Sequence, residues 1–277
     1  MRRRAFLSRL SRLALGAFGL GLLGGCGKKD ARTETADRSG LPTITVGVDK
    51  YPPFNYTGTD GRPTGIDVDL AKEAFHRMGY EPEFLTINWE RKKTLLENGG
   101  IDCIWSSFSM DGREDEYQWA GPYMLSSQVV AVNVSSDIYT LADLEGKTLV
   151  VQSTTKPEQL FEEGTDPRLP RLRTLISLQD RDLIYTTLIK GYADALAAHE
   201  TAIRQFMKDY GVEYRILEEP LQVVGLGVAF AKGDRRGLAE KLNAVFEEMR
   251  VDGTTREIVG RYLDDPGHYL DGLEVAE

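Results

Sequence analysis

The chain has 277 residues, of which 41% are hydrophobic and 28% charged, a balance typical of globular proteins and not of fibrous or disordered ones. Five of its 34 basic residues fall within the first 25 positions, and the remainder of the chain carries 29 basic against 43 acidic side chains. This acidity argues against nucleic acid as a partner, because phosphates repel it. Two cysteines, Cys26 and Cys103, allow at most one disulfide.

The N-terminus has the pattern of an export signal. A basic stretch (2–12) precedes an uncharged, largely apolar run (13–25) that is shorter than the roughly twenty residues a membrane-spanning helix needs. Leu23-Gly24-Gly25-Cys26 resembles the lipobox of bacterial lipoproteins, which predicts a signal peptide over 1–25 and a lipid anchor, with fatty acyl chains such as palmitate, on Cys26. Arg3-Arg4 also resembles a twin-arginine signal, so Sec and twin-arginine export both stay open.

After the signal, residues 26–40 are polar and small, and they predict a flexible tether. Strands and helices then alternate. Strands are predicted at 43–48, 82–87, 101–105, 128–133, 148–152, 173–176, 193–197 and 223–231. Helices are predicted at 67–79, 90–97, 140–143, 183–189, 200–208 and after 231. The alternation predicts an α/β fold with parallel sheets covered by helices.

The sequence offers no catalytic or metal-binding constellation. The histidines His76, His199 and His268 are far apart and lack the spacing of a zinc site. A GxGxxG match at 19–24 lies inside the signal and follows no strand, so it is not a dinucleotide site. Cys103 lies in an apolar strand, which predicts a buried and inert thiol. We therefore expect no metal, no cofactor and no enzymatic activity.

Several short motifs follow one another along residues 43–265. They are Val46-Gly-Val-Asp49 with Tyr51-Pro-Pro-Phe54, Gly65-Ile-Asp67-Val-Asp69, Gly100-Ile-Asp102, Ser106-Ser-Phe-Ser109 with Arg113, Gly121-Pro-Tyr123, Leu141-Ala-Asp-Leu144-Glu-Gly-Lys147, Tyr192-Ala-Asp194 and Asp252-Gly-Thr-Thr. Together they resemble the family 3 extracytoplasmic solute-binding proteins of polar-amino-acid ABC transporters. The resemblance implies a two-lobed, type II periplasmic-binding-protein-like fold with two crossover hinge strands. Lobe one would be 41–131 plus 226–265, lobe two 132–225, and 266–277 a tail.

The resemblance implies that Arg113 grips the α-carboxylate of an amino acid, assisted by Ser107 and Ser109. A guanidinium is suited to this task because its forked N–H groups match a carboxylate. The alternative for Arg113 is a surface ion pair with Glu114 or Asp115. Ser109 and Arg113 are one residue closer than is usual in the family, which leaves the geometry of this loop open.

A second set of carboxylate donors is expected in lobe two. Thr154 and Thr155 follow a predicted strand, and Thr155-x-x-Glu158 is a capping-box pattern that predicts the start of a helix. The N–H groups of that helix start would face the bound anion. Thr155 stands where the family uses a threonine for this purpose.

The expected acceptor for the ligand's amino group departs from the family pattern. The family commonly reads Asp-Ala-x-x-x-Asp, whereas this chain reads Asp194-Ala-Leu-Ala-Ala-His199-Glu200. A neutral imidazole accepts only one hydrogen bond, so His199 is a poor replacement for a carboxylate. Either Glu200 takes this role, or the ligand lacks an ordinary α-amino group.

The remaining candidates are expected around the ligand's side chain. By resemblance, the Tyr51 ring covers the ligand, and Phe54 and Trp89 add apolar wall. Asp49 and Asp67 align with acids that reach the side-chain cation in family members that bind basic amino acids. This set favours a polar or cationic side chain over an acidic one.

The expected function is capture of an amino acid outside the cytoplasm by a monomer anchored to the membrane through Cys26, and delivery to an ABC permease. An acidic ligand would need a further basic partner, for which Arg91 and Lys92 are the candidates. Two alternatives remain open. One is an exported dehydratase-like enzyme on the same fold, and the other is a sensory binding protein that is not coupled to transport.

Overall fold

The structure is a computed structural model that describes residues 40–273. The predicted signal peptide, Cys26 and nearly all of the tether lie outside the described residues. The strands within 40–273 are β1 (Thr43–Val48), β2 (Tyr56–Thr57), β3 (Pro63–Thr64), β4 (Glu81–Thr86), β5 (Cys103–Ser109), β6 (Tyr117–Asn133), β7 (Thr148–Gln152), β8 (Thr174–Leu178), β9 (Ala195–His199), β10 (Tyr214–Ile216) and β11 (Gln222–Ala231).

Helices cover both halves of the sheet. They are α1 (Ile66–Arg77), α2 (Lys92–Glu97), α3 (Lys156–Glu163), α4 (Arg181–Ile189), α5 (Glu200–Tyr210), α6 (Leu238–Val251), α7 (Thr254–Gly260) and α8 (Gly267–Leu270). Short 3₁₀ turns span Trp89–Arg91 and Leu141–Leu144, and the second has a capping box between Thr140 and Asp143. Strands β1 and β7 have the bounds that the sequence predicts.

In the described part of the chain, nine strands form one sheet in the order β4-β1-β5-β11-β6-β9-β7-β8, with β10 on β6. Pairs β1·β4, β1·β5, β7·β8 and β7·β9 are parallel, but β6 and β11 run antiparallel to their neighbours. The prediction of parallel sheets therefore holds for these four pairs but is wrong for β6 and β11. The connection between β5 and β6 is too short for a crossover helix, so β6 turns back instead.

Strand β6 runs through both halves of the sheet. Residues 117–128 pair with β11, and residues 128–132 pair with β9. Gln128 is the point of exchange, since it lies opposite both Gln222 and His199. Because β6 continues through residue 131 and pairs with strands of both halves, its pairing does not mark a boundary between lobes at that residue. The lobe boundaries stay a prediction.

Buried side chains pack on both faces of the two half-sheets. Helices α1, α6 and α7 cover Trp105 and Phe230 of the first half, and α4 and α5 cover Leu196 of the second. Cys103 is a free and fully buried thiol, as the sequence predicts. No helix within residues 40–273 is long and apolar enough to cross a membrane.

Candidate functional site

A cavity that is open to solvent lies where strands from both halves of the sheet end. The C-terminal ends of β5 and β9, together with the turn between β7 and α3, form most of its wall. Its lining residues are Tyr51, Trp89, Ser106, Ser107, Phe108, Ser109, Arg113, Gln128, Gln152, Thr154, Thr155, Lys156, Pro157, Arg181, Ile184, Ala197, Ala198 and His199. The lining therefore contains most of the residues that the sequence predicts for a ligand site.

Arg113 contributes a buried guanidinium to the cavity wall. Its side chain is held in the turn after β5, where Nη1 donates to the carbonyl of Ser109 at 3.3 Å. The guanidinium carbon lies 5.4 Å from the centre of the Phe108 ring. Arg113 forms no ion pair with any residue in 40–273, and burial lowers its pKa from the usual value. A buried charge in this state is costly unless an anion joins it.

The alternative of a surface ion pair for Arg113 is wrong. Asp115 instead faces Lys232 at 3.9 Å, and Glu114 accepts a hydrogen bond from the backbone N–H of Gly112 at 3.0 Å. Both carboxylates belong to the exposed turn, whereas the arginine side chain points into the buried cavity.

Ser107 and Ser109 bring two hydroxyl groups to the same wall. Both Oγ atoms are buried and have no hydrogen-bond partner among the described residues. Buried polar atoms in proteins nearly always have partners, so such groups in a cavity wall mark places where a ligand binds. Ser107 also has a positive φ of 44°, and its N–H donates to Asp67 Oδ2 at 2.6 Å. This bond holds the strand end in its unusual conformation.

Asp67 lies one layer behind the cavity wall and not in it. Its carboxylate accepts hydrogen bonds from Ser107 N, from Asn55 Nδ2 at 3.0 Å and from Tyr123 Oη at 2.8 Å. Burial raises its pKa to about 6, although these three hydrogen bonds act in the opposite direction. The expectation that Asp67 reaches the ligand is corrected accordingly, because its acceptors are occupied by the protein. Asp67 instead positions Ser107 through the hydrogen bond from its N–H.

The second half contributes the turn between β7 and α3. Thr155 is the N-cap residue of α3, but its Oγ1 donates to the carbonyl of Gln152 at 2.6 Å and does not cap the helix. Glu158 accepts a hydrogen bond from the backbone N–H of Thr154 instead. The predicted capping box is therefore wrong, although the helix start does face the cavity through Thr154, Thr155 and Lys156. Such a helix start favours a bound anion.

Lys156 is a cavity residue that sequence reasoning missed. Its side chain is buried, and its pKa is lowered by burial and, to a smaller extent, by the charge of Arg113. Within residues 40–273 it forms no ion pair. Nothing in its sequence context separates it from the many lysines at exposed helix starts.

His199 ends β9 and is fully engaged by the protein. The amide nitrogen of Gln128 lies 2.9 Å from Nε2, Ser126 Oγ lies 2.8 Å from Nδ1, and the backbone N–H donates to Tyr51 Oη at 3.2 Å. Burial and, secondarily, the charge of Arg181 lower the pKa of the imidazole to about 3. The ring is therefore neutral at physiological pH, with both nitrogens in hydrogen bonds.

Glu200 does not line the cavity. It is the first residue of α5 and forms an ion pair with Arg204 one helical turn later, at 2.7 Å. Because Glu200 starts a helix while His199 ends a strand, the two side chains leave the backbone in different directions. The structure brings His199 and not Glu200 to the cavity.

Tyr51 and Asp49 are covered by a residue that the sequence did not reveal. The guanidinium carbon of Arg181 lies 3.1 Å from the centre of the Tyr51 ring, and its Nε donates to Asp49 Oδ2 at 3.3 Å. Gln152 Nε2 donates to the same oxygen at 2.8 Å. Phe54 packs 5.7 Å from the Tyr51 ring without lining the cavity, so its expected place in the wall is corrected to a supporting one.

Comparison with known proteins shows which family the chain belongs to. The model of the bacterial extracellular solute-binding proteins, family 3, matches residues 44–265. The chain belongs to this family. The resemblance that the motifs indicate is thereby confirmed, and so is the type II periplasmic-binding-protein-like fold class.

Relatives of this solute-binding protein cover nearly all of its described residues. The histidine-binding periplasmic protein of Salmonella typhimurium is 33% identical over 242 residues, which cover 83% of this chain and 91% of that protein. A substrate-binding protein of an ABC uptake transporter from Streptococcus pneumoniae, solved with bound histidine, is 26% identical, with a TM-score of 0.75 and coverage of 81% and 93%. An ancestral arginine-binding protein bound to arginine is 26% identical, with a TM-score of 0.72 and coverage of 80% and 98%.

Lys92, from the first half of the sheet, lies beside the cavity of this solute-binding protein and contacts the lining residue Thr154. Its Nζ donates to Thr154 Oγ1 at 2.8 Å and lies 4.8 Å from the centre of the Trp89 ring. Burial lowers its pKa to about 7. Arg91, the other candidate from the sequence, is exposed. Lys92 thus joins the two halves next to the cavity.

Proposed function

We propose that the protein captures an amino acid outside the cytoplasm and delivers it to the permease of an ABC transporter. The two proposed lobes, 41–131 plus 226–265 and 132–225, would close on the ligand, and the permease would recognise the closed form. The observation that carries the proposal is Arg113, a buried cation with no anionic partner within residues 40–273.

An α-carboxylate fits this position. It would accept two hydrogen bonds from the Arg113 fork and further bonds from the free hydroxyls of Ser107 and Ser109. The start of α3 at Thr155 adds the positive end of a helix dipole. These donors come from both halves of the sheet, so the carboxylate would hold the halves together.

Calorimetric titration of the purified chain with the twenty standard amino acids tests this function. We expect at least one to bind, and we expect the same compound with its α-carboxylate converted to a primary amide to lose at least a hundredfold in affinity. Equal binding of the acid and the amide would contradict the role of Arg113. Binding of no amino acid would contradict the function.

We also propose that the chain is a lipoprotein anchored through acyl chains, palmitate among them, on Cys26. The lipobox-like sequence before Cys26 and the apolar run at 13–25 support this. Cys26→Ser should move the protein from the membrane fraction to the soluble fraction, while Cys103→Ser, at the buried thiol, should leave its location unchanged. A Cys26→Ser protein that stays with membranes after a salt wash would contradict the anchor.

Transport by a monomer is proposed over the two other roles that the sequence left open. A dehydratase-like enzyme would need an available acid in the cavity, and the lining contains no aspartate or glutamate in the described part of the chain. A sensory protein would bind without supporting uptake. Loss of labelled amino-acid uptake on deletion of the gene supports transport, and unchanged uptake contradicts it.

A further inference from the structure

We infer that the captured solute has two acidic groups and a net negative charge, and that Arg181 excludes basic side chains from the cavity. This inference rests on the proposed function because it concerns the ligand of the same cavity. It is carried by the charges of the lining, which contains three basic residues and no acidic one within 40–273.

Two of the three basic residues form no ion pair within residues 40–273, although the carboxylates of Asp111 and Glu163 lie near enough to act on both charges. Arg113 and Lys156 are 9% and 7% exposed, and neither forms an ion pair with another described residue. They are close enough for the charge of Arg113 to lower the pKa of Lys156. The α-carboxylate of a zwitterion would compensate one of these charges, but its ammonium would add another. A second acidic group on the ligand would compensate both.

The third basic residue occupies the place of a ligand's cationic side chain. By resemblance, the acid aligned with Asp49 reaches that cation in family members that bind basic amino acids, and the Tyr51 ring covers the ligand. Here Arg181 lies over the Tyr51 ring at 3.1 Å and pairs with Asp49 at 3.3 Å, with a side chain that is only 10% exposed. A basic ligand would have to displace this arginine or lie against a like charge.

The amino-group end supports the same assignment. His199 is neutral and uses both ring nitrogens in hydrogen bonds to Ser126 and Gln128, so it offers no negative charge to an ammonium. Glu200 is paired with Arg204 outside the cavity. Within the described lining an ammonium would meet only neutral acceptors, among them the buried and unpartnered Oε1 of Gln128. Net attraction therefore has to come from a surplus of acidic groups on the ligand.

The decisive measurement compares acids with their neutral amides. By calorimetry on the full wild-type chain, we expect L-glutamate or L-aspartate to bind at least tenfold more tightly than L-glutamine or L-asparagine, and at least a hundredfold more tightly than L-arginine. Equal affinity for acid and amide, or tightest binding of arginine, lysine or histidine, would overturn the inference while the proposed function stands.

Glutarate and succinate, which have two acidic groups and no amino group, test the inference independently of the proposed function. If no amino acid binds but these amino-free diacids do, the proposed function fails and the inference of two acidic groups is supported. If neither diacids nor acidic amino acids bind, the inference fails as well.

Two substitutions test the residues themselves. Lys156→Gln should reduce the ratio of acid to amide affinity at least fivefold, whereas Lys190→Gln, at an exposed lysine of the same half, should leave it unchanged. Arg181→Gln should raise the affinity for L-arginine at least tenfold, because it frees Asp49 and Tyr51, and Arg171→Gln at an exposed arginine is its control. An unchanged acid-to-amide ratio in Lys156→Gln would contradict the role of Lys156, and an unchanged affinity for L-arginine in Arg181→Gln would contradict the role of Arg181. The wild-type comparison remains decisive if a variant fails to fold.

Discussion

The two ends of the cavity contain similar polar groups in opposite states. At one end, the buried guanidinium of Arg113 forms no ion pair, and the buried hydroxyl of Ser109 has no hydrogen-bond partner, among the described residues. At the other end, Asp49, Tyr51 and Arg181 satisfy one another. Unpaired buried charges cost more than paired ones, so we propose that the first end receives the ligand and that Arg181 at the second end takes the place of a ligand cation.

The largest expected effect comes from breaking the open end. Arg113→Ala would leave the ligand's carboxylate buried without its main partner, at a cost of about 3 kcal/mol or more, which is at least a hundredfold in affinity. The dissociation constant is measured by calorimetry. Arg62→Ala, at an arginine with 84% side-chain exposure, is the control and should bind normally. An Arg113→Ala protein with wild-type affinity would refute the assignment.

A smaller effect is expected from the hydroxyls at the same end. Ser109→Ala removes a donor to a charged group and should weaken binding about tenfold. The same change removes an unsatisfied buried group, so the free energy of unfolding without ligand should stay equal or rise. Ser135→Ala, at an exposed serine, should change neither quantity. A parallel loss of stability and affinity would mean that Ser109 is structural.

The pH dependence of the free energy of unfolding tests the buried polar groups around the cavity, starting with His199. Its pKa falls from 6.5 to about 3 in the folded state, so between those values the unfolded chain binds a proton that the native chain does not. This contribution to stability is present above pH 6.5 and is lost as the pH falls toward 3. Asp67, with a pKa raised to about 6, acts in the opposite sense, since its contribution is present below pH 3.8 and is lost as the pH rises through 6.

The His199 contribution can be isolated by substitution. His199→Asn should reduce the difference in urea-unfolding free energy between pH 7.5 and pH 4.5, compared with wild type. His76→Asn, at an exposed histidine, provides the control. A wild-type difference in the His199→Asn protein would show that burial of this ring does not govern the acid stability.

The smallest effect is expected from Glu200→Gln. The carboxylate is bonded to Arg204 on the surface of α5, and such pairs contribute about 0.3–0.5 kcal/mol. Affinity should change less than twofold. A strong loss of binding would restore the sequence-based hypothesis that Glu200 receives the amino group, and would require a different closed geometry around α5.

The sequence predicts the fold better than the site. Period-two and helical patterns locate β1, β7 and α5 because their apolar residues face a core. The first part of β6 was missed because Gly121, Pro122 and a pair of serines interrupt the apolar pattern, although the strand is long and central. Antiparallel pairing depends on where a strand lies in the sheet, which no local pattern encodes.

The site divides in the same way. The motifs identified six residues that line the cavity, because motif positions fix backbone turns. They are Tyr51, Ser107, Ser109, Arg113, Thr154 and Thr155. Arg181 and Lys156 were missed because each stands at a helix start among other charges, where solvent exposure is the ordinary expectation. Their roles arise from contacts across the two halves, and such contacts depend on the tertiary structure.

Strand β6 exchanges partners at Gln128, a residue that also lines the cavity. A hinge placed there would lie at the inner wall, so a small rotation would move the inner wall little and the outer rim much. At that rim Lys50 and Asp182 meet at 2.7 Å with more than half of each side chain exposed. A small movement of atoms next to the ligand would then produce a larger displacement at the rim, where another protein could recognise it.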